Sequence, residues 1–236
     1  MEKDQEACGQ RGQQAKRTTD AITVLCYGDS NTYGYDPHTD GDPYPAGVRW
    51  PDILAGQLGD GYKVIVEGLS GRTTAYDRLD APWKNGYSYF LPCIASHKPI
   101  DYLIFMLGTN DCNVEMGLSA KDIAAGMELL VRTAEEATLE LQRYVPKIVV
   151  VAPAVIRPEL AGTTFEYQLD ETSVQKSHDI VPLYKQIAKN HGCLFLDASN
   201  SLEVTEIDCE HLTEKGHHQL AELLFDLIQT SSRVEE

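Results

Sequence analysis

Residues 22–31 read Ile22-Thr23-Val24-Leu25-Cys26-Tyr27-Gly28-Asp29-Ser30-Asn31. Six β-favouring residues run without a polar break into a glycine, and a short acidic–hydroxyl turn follows. A continuous apolar run marks a strand covered on both faces, which is the condition of a parallel sheet rather than of a half-exposed antiparallel one. Four more runs of this kind follow along the chain, at Tyr62 to Val66, Tyr102 to Leu107, Lys147 to Ala152 and Cys193 to Leu196. Between them lie helical patterns. Ile123, Met127, Leu130, Val131, Ala134, Thr138 and Leu141 recur at three- and four-residue steps behind Ser119, a residue suited to cap the first turn. Val181, Tyr184, Ile187 and Ala188 repeat the pattern before Gly192. A last stripe of Leu220, Leu223, Leu224, Leu227 and Ile228 begins near Thr213. Trp50 to Leu58 reads as a helix that tolerates Pro51 in its first turn.

Strand and helix in alternation require right-handed crossovers and a doubly wound α/β sheet. Five strands predict the flavodoxin-like order 2-1-3-4-5, in one domain over residues 21–233 behind a flexible polar tail at 1–20. The stretch from Arg78 to Pro99, with Pro82, Trp83, Asn85 and Gly86, reads as an irregular lid or contact loop.

Bulk composition narrows the function. The chain of 236 residues carries 36 acidic and 20 basic side chains, a formal charge of −16, with the basic residues scattered. Binding nucleic acid or an anionic membrane needs clustered Lys or Arg, so neither is an expected partner. The beginning of the chain shows no apolar leader, and the longest apolar stretch, Ile148 to Ile156, is too short to span a bilayer; a cytoplasmic location is the expectation. Six cysteines (Cys8, Cys26, Cys93, Cys112, Cys193 and Cys209) form no Cys-x-x-Cys pair, and several sit in apolar runs, so they read as small buried hydrophobes. Dinucleotide and P-loop signatures are missing, as is Gly-x-Ser-x-Gly.

In an open parallel sheet, ligands bind beyond the carboxyl ends of the strands. At those ends the sequence places Gly28-Asp29-Ser30-Asn31, then Glu67-Gly68-Leu69-Ser70-Gly71-Arg72-Thr73-Thr74, then Gly108-Thr109-Asn110-Asp111, and, before the last helix, Asp208-Cys209-Glu210-His211. These are the parts of a serine acyl-transfer site: Ser30 as nucleophile, His211 as general base and acid, and Asp208 orienting the imidazole. The N–H groups of Ser30 and Gly71 and the amide of Asn110 are candidate donors to an oxyanion. Alone, each short match is ordinary loop chemistry, and Gly71 serves as well for its conformational freedom alone. Asp29, Tyr33 and Arg72 are candidate substrate contacts, although Arg72 fits pairing with an acid equally well. Trp50, Tyr33, Tyr35 and Trp83 suit either a pocket wall or the core. His217 and His218 are read as a solvated helix start rather than as metal ligands, and Asp111 as a turn brace.

Taken together, the segments resemble the SGNH (GDSL-type) hydrolase family from Thr23 to Leu227. Ser30, Gly71, Asn110 and the Asp208–His211 pair fall in its signature blocks in order. The stretches Gly28 to Tyr35, Val48-Arg49-Trp50, Glu67 to Thr74 and Met106 to Asp111 are most similar to bacterial arylesterase/acyltransferase members. The resemblance implies hydrolysis of small or short-chain acyl esters, a homo-oligomer, and no metal or organic cofactor. Asn31 replaces the leucine usual after the serine, a change many family members share, and Tyr33 and Tyr35 stand where the most similar acyltransferases carry tryptophans. The alternatives are transfer of the acyl group to an alcohol, a sugar acetyl esterase, and a non-catalytic module that holds a glycan or acyl ligand.

Overall fold

Strand β1, Ile22–Gly28, lies at the centre of the molecule with side chains alternating between two apolar layers, Val24 and Cys26 into one and Leu25 and Tyr27 into the other. In the computed structural model, which describes residues 21–39 and 41–233, β1 pairs in parallel with β2, Tyr62–Gly68, on one side and with β3, Tyr102–Met106, on the other. Strands β4, Lys147–Ala152, and β5, Leu194–Asp197, complete the order β2-β1-β3-β4-β5, all parallel, as the alternation of strand and helix predicts. The proposed tail at 1–20 and Cys8 lie outside the described residues.

Helices α2, Trp50–Leu58, and α6, Glu214–Arg233, cover one face of the sheet; α3, Gly86–His97, α4, Ala120–Gln142, and α5, Glu171–His191, cover the other. Each begins and ends for a local reason. Ser119 and Asp122 form a reciprocal capping box on α4, Asp170 and Ser173 another on α5, and Gly192 closes α5 in the left-handed conformation. On α6, Leu220, Leu224 and Ile228 are fully buried against the sheet, each worth roughly 1.5–3 kcal/mol relative to exposure. No helix among the described residues is long and apolar enough to cross a membrane. The cysteines at 26, 93, 112 and 209 are buried and free, as expected of small hydrophobes, and Cys193 is free and half-buried.

The segment 78–99 is not the irregular loop that its prolines and glycine suggest. Residues 86–97 form α3, capped by the Asn85 side chain, which accepts from the N–H groups of Tyr87 and Ser88. Phe90, Cys93 and Ile94 are its buried stripe. Pro92 is tolerated inside the helix because it and Ser88, whose carbonyl loses its i+4 partner, are both on the exposed side. Leu79, Trp83, Tyr87, Tyr89 and Leu91 are exposed over residues 79–91. Trp83 is therefore neither core nor buried pocket wall, whereas Trp50, at 1% exposure, is core.

Candidate active site

The turn after β1 sets the geometry of the site. Ser30–Tyr33 forms a single helical turn, α1, capped by Asp29, whose Oδ1 accepts from the Asn31 N–H at 3.0 Å. This turn packs directly on the end of β2: a side chain at Gly68 would overlap the Tyr33 backbone nitrogen. Ser30 is thereby held above the carboxyl edge of the sheet, 6% exposed.

The loop before α6 brings His211 to it across 181 positions of sequence. Ser30 Oγ lies 2.8 Å from His211 Nε2, and His211 Nδ1 lies 2.8 Å from Asp208 Oδ2. Asp208 Oδ1 accepts from the N–H groups of His211 and Glu210 at 3.0 and 3.1 Å. Burial opposes the Asp208 charge, but these donors together hold its carboxyl below the ordinary carboxylate range. Burial likewise opposes protonation of His211, yet its ring is raised above the ordinary value by the Asp208 hydrogen bond and by the charges of Glu210, Asp208 and Asp29. The three side chains form one hydrogen-bonded chain, with His211 ready to take a proton from Ser30.

Asn31 fixes the two loops together. Its Nδ2 donates to the Glu210 carbonyl at 3.1 Å, and its Oδ1 accepts from the Leu212 N–H at 2.9 Å, so the histidine is bracketed on both sides. The Tyr35 ring stacks on His211 with centroids 4.2 Å apart, and Phe165 packs at 5.9 Å. Residue types alone do not predict these four contacts. The sequence signals are that Asn31 adjoins Ser30 and that Tyr35, five residues on, is a candidate pocket wall.

The other candidates divide. Gly71 adopts φ +82°, a left-handed conformation natural to glycine, in the loop after β2. Asn110 is half-buried and opens a short 3₁₀ turn after β3. Asp111 braces the two loops, as expected of it: its carboxylate accepts from the Thr74 N–H and hydroxyl, while burial pushes its pKa up to about 6. Asp29 is 1% exposed, and burial pushes its carboxyl up to about 7. Tyr33 is half-buried, with its carbonyl accepting from Arg49. Arg72, expected to meet substrate or an acid, pairs with backbone carbonyls instead of an acid. It is 3% exposed, donates to the carbonyls of Gly28 and Glu67, and lies over the Tyr27 ring, where it ties the ends of β1 and β2. His217 is another correction. It is fully buried, its Nδ1 accepts from the Trp50 N–H at 3.3 Å, and burial holds its pKa down to about 3; His218 alone is exposed.

Two cavities adjoin the site. One of about 10 Å³, beside His211, is lined by Asn110, Asn113, Phe165 and Glu210 among others. A second of about 260 Å³ shares Asn113 with it and is edged by Asp77, Arg78, Asp80 and Glu115. A larger cavity of about 440 Å³ opens between Lys147, His191 and Cys193, at the opposite ends of β4 and β5. Among the described residues, Glu67, Cys93 and His97 could present three ligand atoms to a cation, within 4.8 Å of one another. There the Glu67 and His97 side chains already satisfy each other at 2.6 Å, and the fixed Arg72 guanidinium nearby opposes a second cation.

Residues 26–219 match the profile of the GDSL-like Lipase/Acylhydrolase family. The chain is 26% identical over 213 residues to an acetylxylan esterase of Xylanibacter ruminicola; the match covers 87% of this chain and only 42% of that relative's length. Among solved structures, the native aryl esterase of M. smegmatis superposes with a TM-score of 0.83 at 34% identity, over 89% of this chain and 99% of that one. Est24, a carbohydrate acetylesterase from Sinorhizobium meliloti, superposes with a TM-score of 0.83 at 33% identity and the same coverage.

Proposed function

The chain belongs to the GDSL-like lipase/acylhydrolase family, and on that footing we propose that it hydrolyses small, short-chain carboxylic esters through an acyl-enzyme on Ser30. The observation that carries this is the unbroken chain Asp208–His211–Ser30, with both links at 2.8 Å. Ser30 Oγ attacks the ester carbonyl as Nε2 takes its proton; the imidazolium then returns that proton to the leaving alcohol, and water repeats the sequence on the acyl-enzyme. The Ser30 and Gly71 N–H groups and the Asn110 amide receive the oxyanion, each such donor being worth about 10²–10³ in rate. A glycan- or acyl-binding role without catalysis gives no reason for a hydroxyl held on a buried, acid-supported imidazole.

The space lined by Asn110, Phe165 and Glu210 has room for only about one water, which leaves little room for a long acyl chain on that side of the site. The larger cavity next to it offers Asp77, Asp80, Asn113 and Glu115, all hydrogen-bond acceptors suited to sugar hydroxyls, so an acetylated sugar is the second reading. The names of the carbohydrate acetylesterase and acetylxylan esterase relatives agree with it. The test is a series of p-nitrophenyl esters from acetate to octanoate beside acetylated xylose. Rates are expected to fall by ten-fold or more between acetate and octanoate, at roughly 1.4 kcal/mol per decade. A rate that rises with chain length would overturn the short-acyl reading, and an added alcohol appearing as ester product would identify acyl transfer.

We also propose that the chain forms a homo-oligomer through the 79–91 face, supported by the five large apolar side chains exposed there. Sedimentation equilibrium is expected to give a mass above that of the monomer; a monomer at every concentration would sink this.

A further inference from the structure

Asp208 occupies the Nδ1 side of His211, which leaves Nε2 to Ser30 and the substrate. A second carboxylate stands on that side. Glu210 Oε1 lies 3.9 Å from Nε2, and the Glu210 side chain is only 12% exposed. The distance is long for a hydrogen bond but within direct charge contact. Nor is Glu210 a freely swinging surface acid. Its N–H donates to Asp208 Oδ1 at 3.1 Å and its carbonyl accepts from Asn31 Nδ2 at 3.1 Å, so the bonds that assemble the triad also fix the backbone from which this carboxylate projects.

Every group packed on the ring has another part to play. Asp208 holds Nδ1. Asp29, at the start of α1, accepts from the Asn31 N–H; its charge also bears on the ring, while burial pushes its own carboxyl up to about 7. Tyr35 and Phe165 contribute ring faces. His217 on α6 stays uncharged because burial disfavours its protonation. Arg78, the cation acting on Glu210, is itself paired with Asp80. Burial also raises the Glu210 carboxyl above its ordinary range, and a charged imidazole beside it pulls the other way, so the carboxylate and the imidazolium favour each other.

We propose that Glu210 is a positioning residue for ester cleavage, holding negative charge against the working nitrogen of His211 so that the imidazolium is favoured as Ser30 gives up its proton. This rests on the serine-hydrolase reading. The charge acts in two directions. It raises the pH at which His211 becomes the neutral base, which moves the acid limb of activity upward, and it stabilises the transition state in which the ring is charged, which raises the plateau.

Glu210→Gln is nearly isosteric and keeps both backbone hydrogen bonds. It is expected to move the acid limb of kcat/KM down by about one pH unit and to lower the plateau by roughly three- to ten-fold. Glu210→Asp, which keeps the charge, is expected to hold the limb near its wild-type position. A residue that only packs would lower the curve at every pH and leave the limb in place. The ring is also read without turnover: in a Ser30→Ala background, the NMR titration midpoint of His211 is expected to fall by a similar amount on adding Glu210→Gln. An unmoved midpoint and an unmoved limb overturn the proposal. Turnover retained by Ser30→Ala would instead overturn the serine mechanism, while the ring titration would still decide the role of Glu210.

Discussion

Ser30→Ala is expected to lower kcat for p-nitrophenyl acetate by about 10⁵–10⁶, the loss seen when one member of a cooperating nucleophile–base unit is removed. No other group can replace it without rebuilding the site, because the His211 base is aimed at Oγ from 2.8 Å and bracketed in that position by Asn31. The fold should not suffer. The α1 turn is capped by the Asp29 side chain and by Gly34, whose N–H donates to the Ser30 backbone carbonyl, so the hydroxyl carries none of the local structure. Thermal unfolding of the variant should therefore match wild type closely, and labelling by a fluorophosphonate should disappear with activity. Equal turnover by the two proteins would place the nucleophile elsewhere and dismiss the proposed mechanism. A loss of activity with a much lower Tm would point to misfolding, contrary to the capping just described.

The sequence carries the sheet and the reacting residues well and the supporting residues poorly, for a physical reason. The inner strands β1, β3 and β4, buried on both faces, print as long apolar runs, and the half-buried edge strands β2 and β5 as shorter ones, so all five are legible to within a residue or two of their ends. Among the candidate site residues, Ser30 sits in the turn at the end of β1, where Gly, Asp, Ser and Asn stand out against apolar neighbours, and Asp208 and His211 lie in the loop before α6. The family resemblance read from those turns agrees with the match over residues 26–219. Helix α3 is illegible by punctuation, because Pro92 and Gly86 usually end helices; the Phe90, Cys93, Ile94 spacing was the better signal. His217 shows the same lesson: with Leu220, Leu224 and Ile228 it continues the buried stripe of α6, and a polar residue type concealed that periodicity. The contacts of Asn31, Arg72 and Glu210 are different in kind. They depend on side-chain direction and, for Asn31, on partners 179 to 181 positions away, which no local pattern encodes.

Asp208→Asn tests the support of the imidazole separately from the nucleophile, and is expected to lower kcat by roughly 10⁴ or somewhat less while leaving the fold intact. The carboxylate is an acceptor at both oxygens: Oδ2 faces His211 Nδ1, and Oδ1 receives the N–H groups of His211 and Glu210. An asparagine cannot meet both demands. If its amide nitrogen turns to Nδ1, that ring atom must become the acceptor, the ring proton moves to Nε2, and the base can no longer take the Ser30 proton. If it turns the other way, its N–H₂ group opposes two backbone donors in a site where Asp208 is 1% exposed, and the loop that delivers His211 is strained instead. The first arrangement spares stability and removes the base; the second spares the tautomer and loosens the loop. A large fall in the fluorophosphonate labelling rate of Ser30, with Tm nearly unchanged, identifies the first, while lowered Tm with only a modest kinetic loss identifies the second. A loss below ten-fold with unchanged stability would mean that Asp208 does not govern the ring. Charge from Glu210 could not substitute for it, since that carboxylate faces the nitrogen that must stay free to accept.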